Sequence, residues 1–203
     1  MSDEEDPKLT PLQRHVSFFD PDGDGEIRLG QTYSGLRSLG IGAPLSALLS
    51  VVINGMLGML THGKPSMSVS VKNIVKGKHA FDTGVFDEQG GFDRATLDEL
   101  FTTAGGFRGA PSGADCLTKA QIDGFIHAHG ARGRPYGVLG RWFSGKETKL
   151  LLCLAADAKK TVEGKMVPAV SRRTVRRFYE GRLLFVLARR RRIREKLDAL
   201  AAG

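Results

Sequence analysis

The sequence predicts a mainly α fold made of helix–loop–helix units, joined to one long apolar segment. Three observations carry that prediction. Apolar residues recur at helical spacing in several stretches, as in Leu12, Val16 and Phe19. An acidic ladder, Asp20-Pro21-Asp22-Gly23-Asp24-Gly25, separates two of the helix candidates. Residues Leu39 to Leu60 carry no charged side chain.

In chain order, Met1 to Leu9 is an acidic start expected to be disordered. Thr10-Pro11-Leu12-Gln13 then reads as a helix start. Threonine caps, proline suits the first helical position, and Gln13 completes a capping box. This helix runs to about Phe19 and places Leu12, His15, Val16 and Phe19 on one face. A lone histidine on such a face is most often a satisfied core residue.

The next twelve residues, Asp20 to Gln31, fit an EF-hand loop. Such a loop needs oxygen ligands at positions 1, 3 and 5, glycine at 6, a backbone carbonyl at 7 and a carboxylate at 12. Asp20, Asp22 and Asp24 fill the first three, Gly25 the turn and Glu26 position 7, with Ile27 packing inward. Position 12 is Gln31, a neutral amide, and position 9 is Arg28, a cation. Both weaken a site for a hard divalent cation. The metal residues predicted are therefore Asp20, Asp22, Asp24, Glu26 and Gln31, holding Ca2+ weakly or for structure only. A helix over Gln31 to Leu39 closes a unit spanning residues 10–40.

Residues 41–66 form the apolar segment. About 20 apolar residues cross a bilayer as a helix, and this run has that length. Pro44, Asn54 and internal glycines interrupt it and weaken a single spanning helix. Insertion into a lipid layer, an interfacial helix and a buried core helix all fit the run.

The remainder, 67–187, reads as a short strand over Val69 to Val75, a turn-rich acidic stretch from Asp82 to Asp93, and an amphipathic helix carrying Leu97, Leu100 and Phe101. A helix follows over Leu117 to His129, then an apolar stretch over Lys149 to Ala156. Asp157 to Val167 occupies the place of another loop without an acidic ladder, so degenerate EF-hand-like units are expected. Helices over Ser171 to Phe178 and Leu183 to Leu200 end the chain. His127 and His129 are two apart and do not share a helix face, and no further ligand stands near them in sequence. His62 ends the apolar run. Trp142 and Phe143 fit a lipid interface or a core equally.

The net charge of +8 is concentrated at the C-terminal end, where Arg172 to Lys196 holds eleven Arg or Lys against two Glu. The basic tail, 188–203, favours an anionic partner such as phospholipid head groups. Nucleic acid is the weaker expectation, since no groove-reading motif is present. Cys116 and Cys153 show no metal spacing and fit a reducing compartment. MSDEED is no secretory signal, so a membrane would be met from the cytoplasmic side. No Walker loop, dinucleotide fingerprint or serine nucleophile elbow occurs.

The segments TPLQRHVSFFDPDGDGEI, QTYSGLRSLG, the apolar run and NIVKGKHAFDTGVFDEQGGF together resemble the caleosins, plant and fungal peroxygenases. A weaker likeness continues through GRWFSGKETKLLLCLA and RRFYEGRLLF, so the resemblance runs from Thr10 to about Leu187. It implies that His15 and His79 are the two histidines linked to haem b. It also implies calcium at the Asp20 loop, lipid association of Leu39 to Leu60, and a lipid droplet or the cytoplasmic face of the endoplasmic reticulum membrane as location. The implied reaction moves one oxygen from a fatty-acid hydroperoxide to an unsaturated fatty acid. A non-enzymatic, calcium-responsive lipid-coat protein is the alternative the same features allow. Two departures stand out: only Pro65 remains where the family carries a proline-rich knot, and Gln31 replaces glutamate.

Overall fold

The computed structural model describes residues 9–77, 85–106, 115–129, 150 and 154–201, and among these stand seven α-helices and five short strands. The mainly α class holds, with one long apolar helix. The acidic start to Lys8, together with His79, Trp142, Phe143 and Cys153, lies outside the described residues. Two compact units form: Met1–Gly77, Glu88–Gly91 and Phe178–Gly203 make one, and Lys78–Asp87 with Phe92–Arg177 the other.

In the first unit, helix α1 (Pro11–Ser17) begins with the capping box read from the sequence. The Thr10 hydroxyl accepts from the Gln13 amide at 3.3 Å, and Gln13 Oε1 accepts from the Thr10 amide at 3.0 Å. Strand β1 (Glu26–Ile27) leads into α2 (Leu29–Ser38), and α3 (Ala43–His62) follows. β1 pairs antiparallel with β2 (Val69–Ser70), Ile27 opposite Val69. Ile27, Val69, Val71 and Ile74 form the buried cluster, with Leu12, Val16, Phe19 and Leu57 packed against it. The strand expected over Val69 to Val75 is therefore only two residues long. Beyond it the Ile74 amide donates to Val71 O and the Lys76 amide to Asn73 O. That local closure makes a 3-10 turn over Ile74–Gly77 and returns Ile74 to the same cluster.

The expected interruption of the apolar run is corrected. The helix is continuous over 20 residues, because Pro44 falls in its first turn, where no intrahelical amide bond is lost. Its internal Gly58 is a close-packing position. A Cβ there would lie 2.3 Å from Ser66 O and 2.6 Å from Ser68 O. Gly63, at φ 68°, ends the helix in the left-handed conformation.

In the second unit, α4 (Arg94–Gly106) packs on β3 (Cys116–Thr118) and α5 (Lys119–His129). Asp93 starts α4, accepting from the Ala95 amide at 2.9 Å and the Thr96 hydroxyl at 2.6 Å. Those bonds, the Thr96 hydroxyl first, hold its carboxyl below the usual range. Leu117, expected in a helix, is in β3. The stretch Asp157 to Val167, expected to be a loop, is mostly a hairpin of β4 (Ala158–Val162) and β5 (Lys165–Ser171). Glu163 and Gly164 both have positive φ, 50° and 77°, as a two-residue hairpin turn requires. The sheet order is β3-β5-β4, all antiparallel. Helices α6 (Arg172–Tyr179) and α7 (Leu183–Ala201) match the sequence reading to within a residue.

Candidate functional site

The acidic ladder folds into one cluster. Asp20, Asp22 and Asp24 each offer a carboxylate oxygen within 4.8 Å of the others. The turn that gathers them needs glycine: Gly23 and Gly25 have φ of 69° and 85°. Asp20 is the buried member. Its two carboxylate oxygens accept from the Gly23 amide at 3.1 Å and the Gly25 amide at 3.0 Å. Burial, then the neighbouring Asp22, raises its carboxyl above the usual range, against the Gly25 bond. Crowded carboxylates of this kind suit a hard cation with oxygen ligands.

The two weakening residues act visibly. The Arg28 guanidinium donates to Asp24 at 2.6 Å and lies 3.5 Å from Asp22. Its bond to Asp24 pulls that carboxyl below the usual range. Gln31 Oε1 accepts from the Arg28 amide at 2.6 Å, while its Nε2 donates to Asp22 at 2.9 Å. Gln31 thus ties the loop together through its amide, and Arg28 supplies positive charge to two of the three ladder carboxylates. Glu26 turns its side chain away from the ladder, accepting from the Ser68 hydroxyl at 2.9 Å and lying 3.2 Å from His62 Nε2.

His15 is half-buried on α1, its ring 4.7 Å from that of Phe178 in an edge-on arrangement. Gly181, at φ 77°, passes directly over this turn of α1. A Cβ on it would stand 2.7 Å from the His15 amide nitrogen and 2.6 Å from Pro11 O. The His15 imidazole is of the donor type that ligates haem iron, while His79 lies outside the described residues. The sequence reading missed Phe178 and Gly181, which are distant in sequence and carry no ligand chemistry of their own.

Helix α3 is inverted relative to a soluble amphipathic helix. Its buried residues are Ser46, Ser50, Asn54, Gly58 and Thr61, a small and polar stripe at helical spacing. Its exposed residues include Leu48 at 61%, Val51 at 51%, Met59 at 49% and Leu45 at 47%. Each inward hydroxyl is satisfied: Ser46 donates to Ile41 O, Ser50 to Ser46 O and Thr61 to Leu57 O. Asn54, fully buried, joins three elements. Its Oδ1 accepts from the Thr32 hydroxyl at 2.6 Å, and its Nδ2 donates to Ile27 O at 3.0 Å and Met67 O at 2.9 Å. The polar side of α3 therefore holds the acidic loop's strand, and the apolar side faces outward.

Of the residues singled out in the sequence, Asp20, Asp22 and Asp24 are brought together. Glu26 is engaged elsewhere by its side chain, Gln31 bonds within the loop, and His15 lies on the preceding helix. The family profile described as Caleosin related protein matches residues 7–188. The chain is 33% identical over 187 residues to the probable peroxygenase 4 of Arabidopsis thaliana, covering 89% of this chain and 86% of that protein. It is 31% identical over 127 residues to the peroxygenase of Lilium longiflorum, covering 60% of this chain and 50% of that one. No solved structure matches the chain.

Proposed function

Because this chain belongs to the caleosin family, we propose that it is a haem-dependent peroxygenase working at a lipid surface, with a weak calcium site beside its haem-linked histidine. The enzyme class rests on the relatives named peroxygenase. The observation that carries the lipid setting is the orientation of α3, apolar side out and polar side in. Exposed apolar patches of this kind mark interaction surfaces, and a helix of this length and composition is long enough to enter a lipid layer.

His15 and His79 would hold the haem, which would supply the transfer of one oxygen from a fatty-acid hydroperoxide to an unsaturated fatty acid, at its double bond or at a C–H bond. The hydroperoxide leaves as an alcohol and the acceptor as an epoxide or hydroxy product. His15 contributes a donor nitrogen whose ring is oriented by Phe178, and Gly181 lets the C-terminal segment lie against the α1 backbone at that turn. A histidine not bound to the iron would serve as the acid–base group that moves a proton between the two peroxide oxygens. Both fatty substrates partition into lipid, where the outward face of α3 would hold the enzyme.

Calcium would sit among Asp20, Asp22 and Asp24, with the backbone carbonyl of Glu26 and the side-chain oxygen of Gln31 as further donors. The frame of α1, the ladder, β1 and α2 is an EF-hand arrangement. A degenerate counterpart runs α4, β3, α5. There Gln121 Oε1 accepts from the Thr118 amide at 3.0 Å, as Gln31 does for Arg28. Gln31→Glu is expected to raise calcium affinity by on the order of tenfold by restoring a charged ligand at position 12, measured by calorimetry. Unchanged affinity would remove Gln31 from the ligand set.

The lipid setting is tested by vesicle flotation of the full chain. Leu48→Glu with Val51→Glu is expected to release the protein from neutral vesicles, since each places a charge on the outward face. Undiminished flotation would show that α3 does not touch lipid.

A further inference from the structure

We infer that the C-terminal half of α7 is a second, electrostatic lipid contact, a basic amphipathic surface that binds anionic phospholipid head groups. The residues involved lie beyond residues 7–188, which the family profile matches.

The helix carries Ile193, Leu197 and Leu200 at i, i+4 and i+7, a single stripe by helical spacing. All three are exposed, at 49%, 60% and 79%. At the same spacing Arg190 and Arg194 border one edge of the stripe and Lys196 the other, and each of these is exposed. The two carboxylates of this half, Glu195 and Asp198, fall on the opposite flank with Arg191. Arg191 is committed there: its Nε donates to Glu195 Oε1 at 2.7 Å. Its guanidinium also packs on Gly40, where a Cβ would overlap it. The acids are thus confined to the flank away from the apolar stripe, with only cations beside it. A helix with an apolar stripe between basic edges lies in the plane of a membrane interface, apolar side down and cations at the head groups. Charge complementarity selects an anionic surface. Gly40 also lies in the turn just before α3, so the Arg191 contact anchors this basic helix beside the start of the outward apolar helix.

A solvated basic helix end would show mixed charges around its circumference and no continuous apolar stripe. A nucleic-acid helix would need its cations on one face without exposed leucines among them. The arrangement here favours lipid.

The test uses the full chain and two vesicle compositions, phosphatidylcholine alone and phosphatidylcholine with phosphatidylserine. The wild type is expected to bind the anionic vesicles more tightly, and about 0.5 M salt to abolish the difference. Arg190→Ala, Arg194→Ala and Lys196→Ala together are expected to weaken anionic binding by about 100-fold while leaving binding to neutral vesicles intact. Ile193→Ser with Leu197→Ser is expected to weaken anionic binding also. Far-UV circular dichroism checks that α7 remains helical. An anionic preference that survives the triple variant overturns the inference. So does tighter binding to a nucleic-acid duplex than to anionic vesicles at equal ionic strength, or a stripe variant that only dissociates a dimer. Failure of the wild type to bind neutral vesicles would count against α3 and leave the anionic increment as this helix's own readout.

Discussion

His15→Ala is expected to lower peroxygenase turnover by roughly 100-fold or more, whether the imidazole ligates iron or moves the peroxide proton. The variant should keep its fold. His15 is half-buried, while α1 is held to the core through Leu12, Val16 and Phe19. The acidic cluster five residues on should still bind calcium, and calorimetry with circular dichroism separates loss of chemistry from loss of structure. Gly181→Ala gives an independent reading. Its methyl group would push first on the α1 backbone at Pro11 and His15 and on Arg14 Cβ, so a smaller loss is expected, chiefly in kcat. Full activity in both His15→Ala and His79→Ala would reject the histidine assignment.

Asn54→Ala is expected to cost about 3 kcal/mol of stability. The change removes the donors to two backbone carbonyls, Ile27 O and Met67 O, and the acceptor of the buried Thr32 hydroxyl. Buried polar groups left unmatched cost about 1–3 kcal/mol each, and local shifts recover part of that. For a chain of this length the melting temperature should fall by about 10 °C. Leu48→Ala, on the outward face, should change it little in detergent. A loss below about 1 kcal/mol for Asn54→Ala would mean that Asn54 does not tie α3 to β1. The polar-side-in orientation of the helix would then need revision.

Much of this was legible in the residues. The capping box at Thr10, the glycine-bounded acidic turn and the helix from Leu183 are local patterns, and each folds where its pattern stands. The orientation of α3 was not legible as such. Its inward stripe of Ser46, Ser50, Asn54, Gly58 and Thr61 is present in the sequence at helical spacing. Reading that stripe as the buried side contradicts the ordinary rule that apolar residues face in. The hairpin of β4 and β5 was missed because an absent acidic ladder was read as a degenerate loop, and because its turn, Glu163-Gly164, is not one of the usual Asn-Gly or Asp-Gly hairpin pairs. Leu117-Thr118 followed by Gln121 repeats the pattern of Ile27-Arg28 followed by Gln31, and in both the glutamine side chain accepts from the backbone amide three residues before it. The role of Gly181 at His15 joins residues far apart in sequence, and no local pattern encodes such a contact.

The measurement that bears most directly on the central claim is the absorption spectrum of the full chain, purified in mild detergent with haem supplied. The account predicts a Soret band that is lost in His15→Ala or His79→Ala while calcium binding persists. Protein absorption alone, from well-folded wild-type material, would contradict it and point to a calcium-responsive lipid-coat protein without haem chemistry.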